Sequence, residues 1–119
     1  MSARSQLAAA LTTLLPKMKV VGTERTPDTL TRLTVVVRHR DYTPAGNAQG
    51  ILLAGLVLEL LSHHADIEKA EDALDSALPD LLAALHKIPN VTWSRAVKIT
   101  ESEKWLGFNV EVSIPVNVD

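Results

Sequence analysis

The residues best suited to chemistry lie in three short stretches. The first is SHHAD, where His63, His64 and Asp66 offer the imidazole and carboxylate groups that hold transition metals. Adjacent histidines at a strand end point in different directions, so the pair converges poorly on one ion. A polar strand-to-helix junction is the simpler reading. The second stretch holds Asp66, Glu68, Glu71, Asp72, Asp75 and Asp80. Paired carboxylates do acid–base work only inside a cleft, and these fall opposite a leucine stripe, which makes them a solvated helix face. The third is a small basic cluster, Arg32, Arg38, His39 and Arg40. With a net charge of −2 on the whole chain, contact with protein or plain solvation is favoured over nucleic acid. There is no glycine-rich phosphate loop, no zinc-type ligand spacing and no serine nucleophile elbow. An enzyme finds no support in these residues, and no metal or other cofactor is expected.

Composition bounds the scaffold that must carry these groups. A chain of 119 residues, 46% hydrophobic and 22% charged, reads as one water-soluble globular domain, residues 1–119. Aromatics are few, namely Tyr42, Trp93, Trp105 and Phe108. The core must therefore be aliphatic, and a stacking platform for single-stranded nucleic acid is disfavoured. The absence of cysteine excludes disulfides and thiolate chemistry and fits a reducing compartment. The run ILLAGLVL is too short to span a bilayer. The N-terminal stretch has one Arg and an apolar run, but no small-residue cleavage site follows Leu15. Charge is unevenly spread. Residues 1–45 carry seven Lys or Arg against three acids, and residues 46–119 carry five against eleven, giving +4 and −6. Either the halves are solvated faces that differ by chance, or they are two surfaces of opposite sign that meet between neighbouring copies.

The elements follow from periodicity. Leu7, Leu11, Leu14 and Leu15 define a helix over about residues 3–15, capped by Ser2 or Ser5 and stopped by Pro16. MKVVG is a candidate short strand. TERTPDT (23–29) is a loop. LTRLTVVVRHR (30–40) is a β-branched strand. A turn of about nine residues joins it to ILLAGLVLELLS (51–62), which by length could be a helix but reads as the second arm of a long hairpin. Residues 65–88 form the clearest helix, with Ile67, Ala70, Leu74, Leu78, Leu81, Leu82 and Leu85 in one stripe, Asp66 at the N-cap, and a kink or break expected at Pro79. VTWSRAVKIT (91–100) is a strand with Val91, Trp93, Val97 and Ile99 on one parity, and ESEK (101–104) turns into the last strand. The expected fold is α+β: a mainly antiparallel sheet of about four strands with a long hairpin, flanked by an N-terminal helix and one long acidic helix.

The last strand, KWLGFNVEVSIPVNV (104–118), places Leu106, Phe108, Val110, Val112, Ile114, Val116 and Val118 on one face. Fifteen extended residues span roughly 46–50 Å, whereas a compact chain of this size is about 35 Å across. Pro115 cannot donate to a ladder and so marks an edge, a bulge or a free arm. Residues 105–113 therefore read as core strand, and 114–119, including Ile114, Pro115 and Val116, as a contact with a neighbour.

From SHHADIEKAEDALD through IPNVTW to KWLGFNVEVSIPV the chain resembles the tail terminator, or tail completion, proteins of long-tailed bacteriophages, especially those of actinobacteria. The resemblance spans about residues 50–118 and is one of layout; no short motif in it is diagnostic. It implies a structural virion subunit assembled in the host cytoplasm and resident at the head-proximal end of the tail. Six copies would form a homo-oligomeric ring on the tail tube protein, stop tube polymerisation and present a docking surface to a neck or head-completion protein. DNA would pass through the lumen without sequence-specific binding, and no membrane, catalysis or cofactor is implied. Under this reading the candidate subunit or tube interface comprises Arg32, Arg38, Arg40, Tyr42, Glu68, Glu71, Asp72, Asp75, Ile114, Pro115 and Val116. Reversal of Arg38 and Arg40 to Glu is then expected to weaken assembly and spare the fold. The alternatives are a head–tail connector or stopper of the neck and, from another class, a small metal-binding domain using His63 and His64.

The strand parity is open to direct test. Val112→Asp places an unpaired charge in the dry layer and should abolish the folded far-ultraviolet circular dichroism signal; a folded variant would refute the parity.

Overall fold

A computed structural model of the chain describes residues 2–22, 30–46, 50–101 and 105–117. The loop read at 23–29, residues 47–49 of the hairpin turn, residues 102–104 of the turn read at 101–104 and the terminal residues 118–119 lie outside them. The element order is α1 (Ala3–Leu14), β1 (Lys19–Val21), β2 (Thr34–Pro44), β3 (Ile51–Leu61), α2 (Ile67–His86), β4 (Thr92–Glu101) and β5 (Trp105–Asn117). The strands form one sheet in the order β1-β2-β3-β5-β4. It has five strands rather than about four, because MKVVG supplies β1. That strand runs parallel to β2 while every other pair is antiparallel, so the sheet is mostly, not wholly, antiparallel. The hairpin expectation holds, with a shorter turn: β2 extends to Pro44, past the predicted strand end at residue 40.

Both helices pack on one face of the sheet. Ser2 caps α1, its hydroxyl accepting a hydrogen bond from the Ser5 N–H. Asp66 caps α2, accepting from the backbone N–H groups of Glu68 and Lys69 at 2.9 and 3.3 Å. Such a cap satisfies donors that the first turn leaves orphaned. Helix α2 continues through Pro79 as one element, so of the kink or break expected there the break does not occur. Its packed stripe is Ala70, Leu74, Ala77, Leu81, Ala84 and Leu85, while Ile67 at the helix start stays 69% exposed ahead of that stripe. Asn90 takes a positive φ of 66° in the turn to β4, a conformation Asn tolerates better than most residues.

The core joins Leu7, Leu11 and Leu15 to Val35, Val37, Leu56, Leu58, Leu60, Val110 and Val112 and to the α2 stripe. The predicted parity of the last strand holds where it can be read: Val110 and Val112 are buried, and Leu106, Phe108 and Ile114 pack against the core. The parity expected for β4 does not. A β-bulge between Trp93 and Arg95 inserts one residue, so Trp93 faces the helices while Val97, 40% exposed, falls on the other side. An extra residue in a strand flips every side chain beyond it.

The long axis of the molecule is 49 Å against 26 and 23 Å across. Strand length accounts for it, since thirteen residues of β5 extend about 43 Å. Pairing of β4 with β5 ends at Thr92·Ser113, while β3 and β5 continue together to Ile51·Asn117, and β2 accompanies them to Pro44·Leu52. The ends of β2, β3 and β5 thus form a three-stranded tongue.

Gly107 sits where β5 crosses β3. A Cβ there would meet the Leu60 carbonyl oxygen, and Leu61 Cδ2 at 2.8 Å. Because the obstacle is backbone, Gly107→Ala should cost about 1–3 kcal/mol, read as a lowered denaturation midpoint with an unchanged slope.

Candidate functional site

The face of the sheet away from the helices carries a charged network. Arg38 Nε donates to Glu59 Oε1 at 2.7 Å, and the Glu59 side chain is 8% exposed. Glu111 on β5 receives two guanidinium groups, Arg95 Nε on Oε2 at 2.6 Å and Arg40 Nη1 on Oε1 at 2.8 Å. Arg40 also lies 3.4 Å from Asp41 Oδ2. Local structure makes this reach possible. A β-bulge between His39 and Asp41 holds Arg40, and its guanidinium passes the missing side chain of Gly55: an ideal Cβ there would stand 3.4 Å from Arg40 Nη2 and collide with the Asp41 carboxylate. Glu111 therefore ties β2 to β4 across the two central strands.

The electrostatics follow. Hydrogen bonds from Arg95 and then Arg40 hold the Glu111 carboxyl below its ordinary value of 4.5, and the bond to Glu111 raises Arg40 in turn. The basic cluster read from the sequence is thus not an open patch. Arg38 and Arg40 each serve a carboxylate of their own subunit, so reversing them would set like charges against Glu59 and Glu111 and disturb the sheet. The expectation that their reversal spares the fold is withdrawn.

The tongue gathers another set of predicted residues. Tyr42 is 56% exposed, Pro44 and Pro115 are exposed, and Leu52, Leu53, Ile114 and Val116 are half-buried. On the helix side the register aligns Tyr42 with Ala54 and Ile114, and Pro44 with Leu52 and Val116. No residue of 42–46, 50–58 or 112–117 is charged. An uncharged apolar end on an otherwise charged surface is a candidate interaction site. The two prolines stand on the two outer strands of the tongue and blunt its edges.

Glu68, Glu71, Asp72 and Asp75 lie exposed on α2, far in the sequence from the tongue, and Glu71 accepts from Lys98 Nζ at 3.1 Å. Arg32 is exposed just before β2. The predicted interface residues therefore divide into tongue, helix flank and internal clasp rather than one patch. At the strand-to-helix junction the His63 and His64 rings stack 4.2 Å apart. Burial and then His64 lower the pKa of His63 below its ordinary 6.5. Asp66 is engaged as the α2 cap, and among the described residues no group of three or more His, Asp or Glu could hold a metal ion. No described helix is long and apolar enough to cross a membrane.

Sequence reasoning missed Glu59, Arg95, Glu111 and Gly55. The opposed charges of Glu111 and Arg95 on adjacent strands were a usable signal; the bulge that delivers Arg40 left none. No protein-family model and no curated protein matches the chain.

Glu111 sets a pH dependence whose sign is fixed. A carboxyl held low in the folded state contributes stability above its unfolded pKa, and that stability is lost as pH falls through the folded value. Thermal midpoints should therefore drop as pH falls below about 4.5. Glu111→Gln should lower the midpoint at neutral pH and flatten that acid limb, read by calorimetry from pH 7 to pH 3.

Proposed function

We propose that this chain is a structural subunit of a long-tailed bacteriophage, forming a ring that caps the tail tube, ends its polymerisation and provides the surface on which the neck docks. The tongue carries this reading: three paired strands, uncharged and blunted by proline at both edges, project where a subunit would have to grip a tube or a neighbour. The layout of the acidic helix, the Trp-bearing strand and the long closing strand, in the order of tail terminator proteins, supports it. A β-sheet stiffens the tongue as a loop would not, and its apolar faces gain from burial at about 25 cal/mol per Å².

The reading is tested by mass. Sedimentation of the chain with and without purified tail tubes should reveal a species of six 12.9 kDa copies, bound at tube ends. Leu52→Asp with Val116→Asp should keep the folded circular dichroism signal, because both side chains lie beyond the core, and should lower tube binding roughly tenfold or more. A chain that remains monomeric in both conditions refutes the ring.

A further inference from the structure

Strand β4 is the last strand of the sheet and, among the described residues, pairs only with β5. It contains neither proline nor glycine, so its outer row of backbone donors and acceptors is a template for another strand. Both sides of this edge offer apolar surface to cover. On the face away from the helices Val97 is 40% exposed. On the helix side Trp93, Ala96, Leu78 and Leu82 are only partly buried. Helix α2 runs antiparallel to β4 along this seam: Glu71 accepts from Lys98 Nζ at 3.1 Å, and His86 accepts from Trp93 Nε1 at 3.4 Å.

We propose that two copies of the chain pair through this edge, β4 against β4 and antiparallel, about a two-fold axis through Val97. The contact concerns the free chain and is independent of the ring reading. Residues opposite one another in an antiparallel pair point to the same side of the sheet. The axis must therefore pass through a residue and not between two. The bulge between Trp93 and Arg95 limits the regular edge to residues 95–101. An axis through Ala96 would run the pairing into that bulge. An axis through Lys98 would set lysine against lysine, and like charges directly opposite are destabilising. An axis through Ile99 would put the exposed Val97 at the end of the pairing. Through Val97, that residue meets its own copy, Ala96 meets Lys98, and Arg95 meets Ile99. No like charges stand directly opposite, and the exposed valine is covered.

Charge complementarity completes the fit. Asp75 stands one turn beyond Glu71 on α2, about 6 Å along the helix. Ala96 stands two residues from Lys98, about 6–7 Å along β4. Because the two elements run antiparallel, Asp75 lies level with Ala96. It is exposed and forms no ion pair among the described residues. The two-fold axis brings Lys98 of the partner copy opposite Ala96, within reach of this carboxylate. Each Lys98 then lies between Glu71 of its own copy and Asp75 of the other. Lys98 and Glu71 are 50% and 48% exposed, so both are free to share the contact. The edge is then closed in both copies, and pairing stops at two.

The chain has no cysteine, so single thiols report the axis. Opposite residues of an antiparallel pair have Cα atoms about 4.5–5.5 Å apart, a distance a disulfide spans. On mild oxidation with copper phenanthroline, Val97→Cys should cross-link into a dimer. Ile99→Cys, on the same face, should cross-link roughly tenfold less, since its two copies would stand about 13 Å apart along the strands. Native mass spectrometry of the wild type without tail tubes should show two 12.9 kDa copies. Asp75→Lys should weaken that dimer roughly tenfold, two contacts being reversed at once, and adding Lys98→Glu should restore it. Circular dichroism checks that each variant folds. A monomeric wild type overturns the pairing, as do equal cross-linking at the two positions and a dimer unmoved by Asp75→Lys. None of these results decides assembly at the tube.

Discussion

The register between β3 and β5 is the constraint on which the rest of the structure depends. These strands pair without interruption from Ile51·Asn117 to Leu61·Gly107. A slip of one residue would turn Leu56, Leu58 and Leu60 away from the helices and put Gly55, Val57 and Glu59 in their place. With the observed register, the aliphatic residues of both strands face one way and close on α1 and α2. Glu59 and Glu111 face the other way, within reach of Arg38, Arg40 and Arg95. Gly107 fixes how closely the two strands approach at the base, and the length of the shared ladder carries both strands past the helices at the other end.

The charged network sharpens what this sheet can tolerate. Glu59 is nearly buried, and an acid so placed persists because a guanidinium meets it at 2.7 Å. Removing either partner takes away that ion pair. Glu111 is more accessible, at 21%, and its two arginines act through geometry: they join the outer strands β2 and β4 across the central pair. Two bulges, one on each outer strand, sit close to the level of this clasp. Below it all the long strands are paired; above it β4 stops and the tongue begins. The clasp thus secures the base of the part of the sheet that extends beyond β4.

Chemistry-bearing side chains are mutually engaged or spread along an exposed helix flank. Two exposed features of the described residues stand apart, the uncharged tongue and the edge strand β4. Either would serve a subunit of the proposed ring.

The sequence by itself determined the element types, the helix caps at Ser2 and Asp66 and the dry parity of β5, whereas the ladder to β3 carries that strand unbroken past Ser113 to Asn117. The former are local properties: periodicity and capping chemistry act within a few residues of chain. It also showed that the two halves differ in charge. Tertiary structure alone decided the parity of β4 beyond Trp93, because a bulge is a property of the ladder and not of one strand. It decided that Arg38 and Arg40 serve carboxylates 21 and 71 residues away, and that Gly55 is a passage for a side chain. It also set β1 and β2 on one side of β3 and β5 and β4 on the other, since only strand order converts distance along a chain into a position across a sheet.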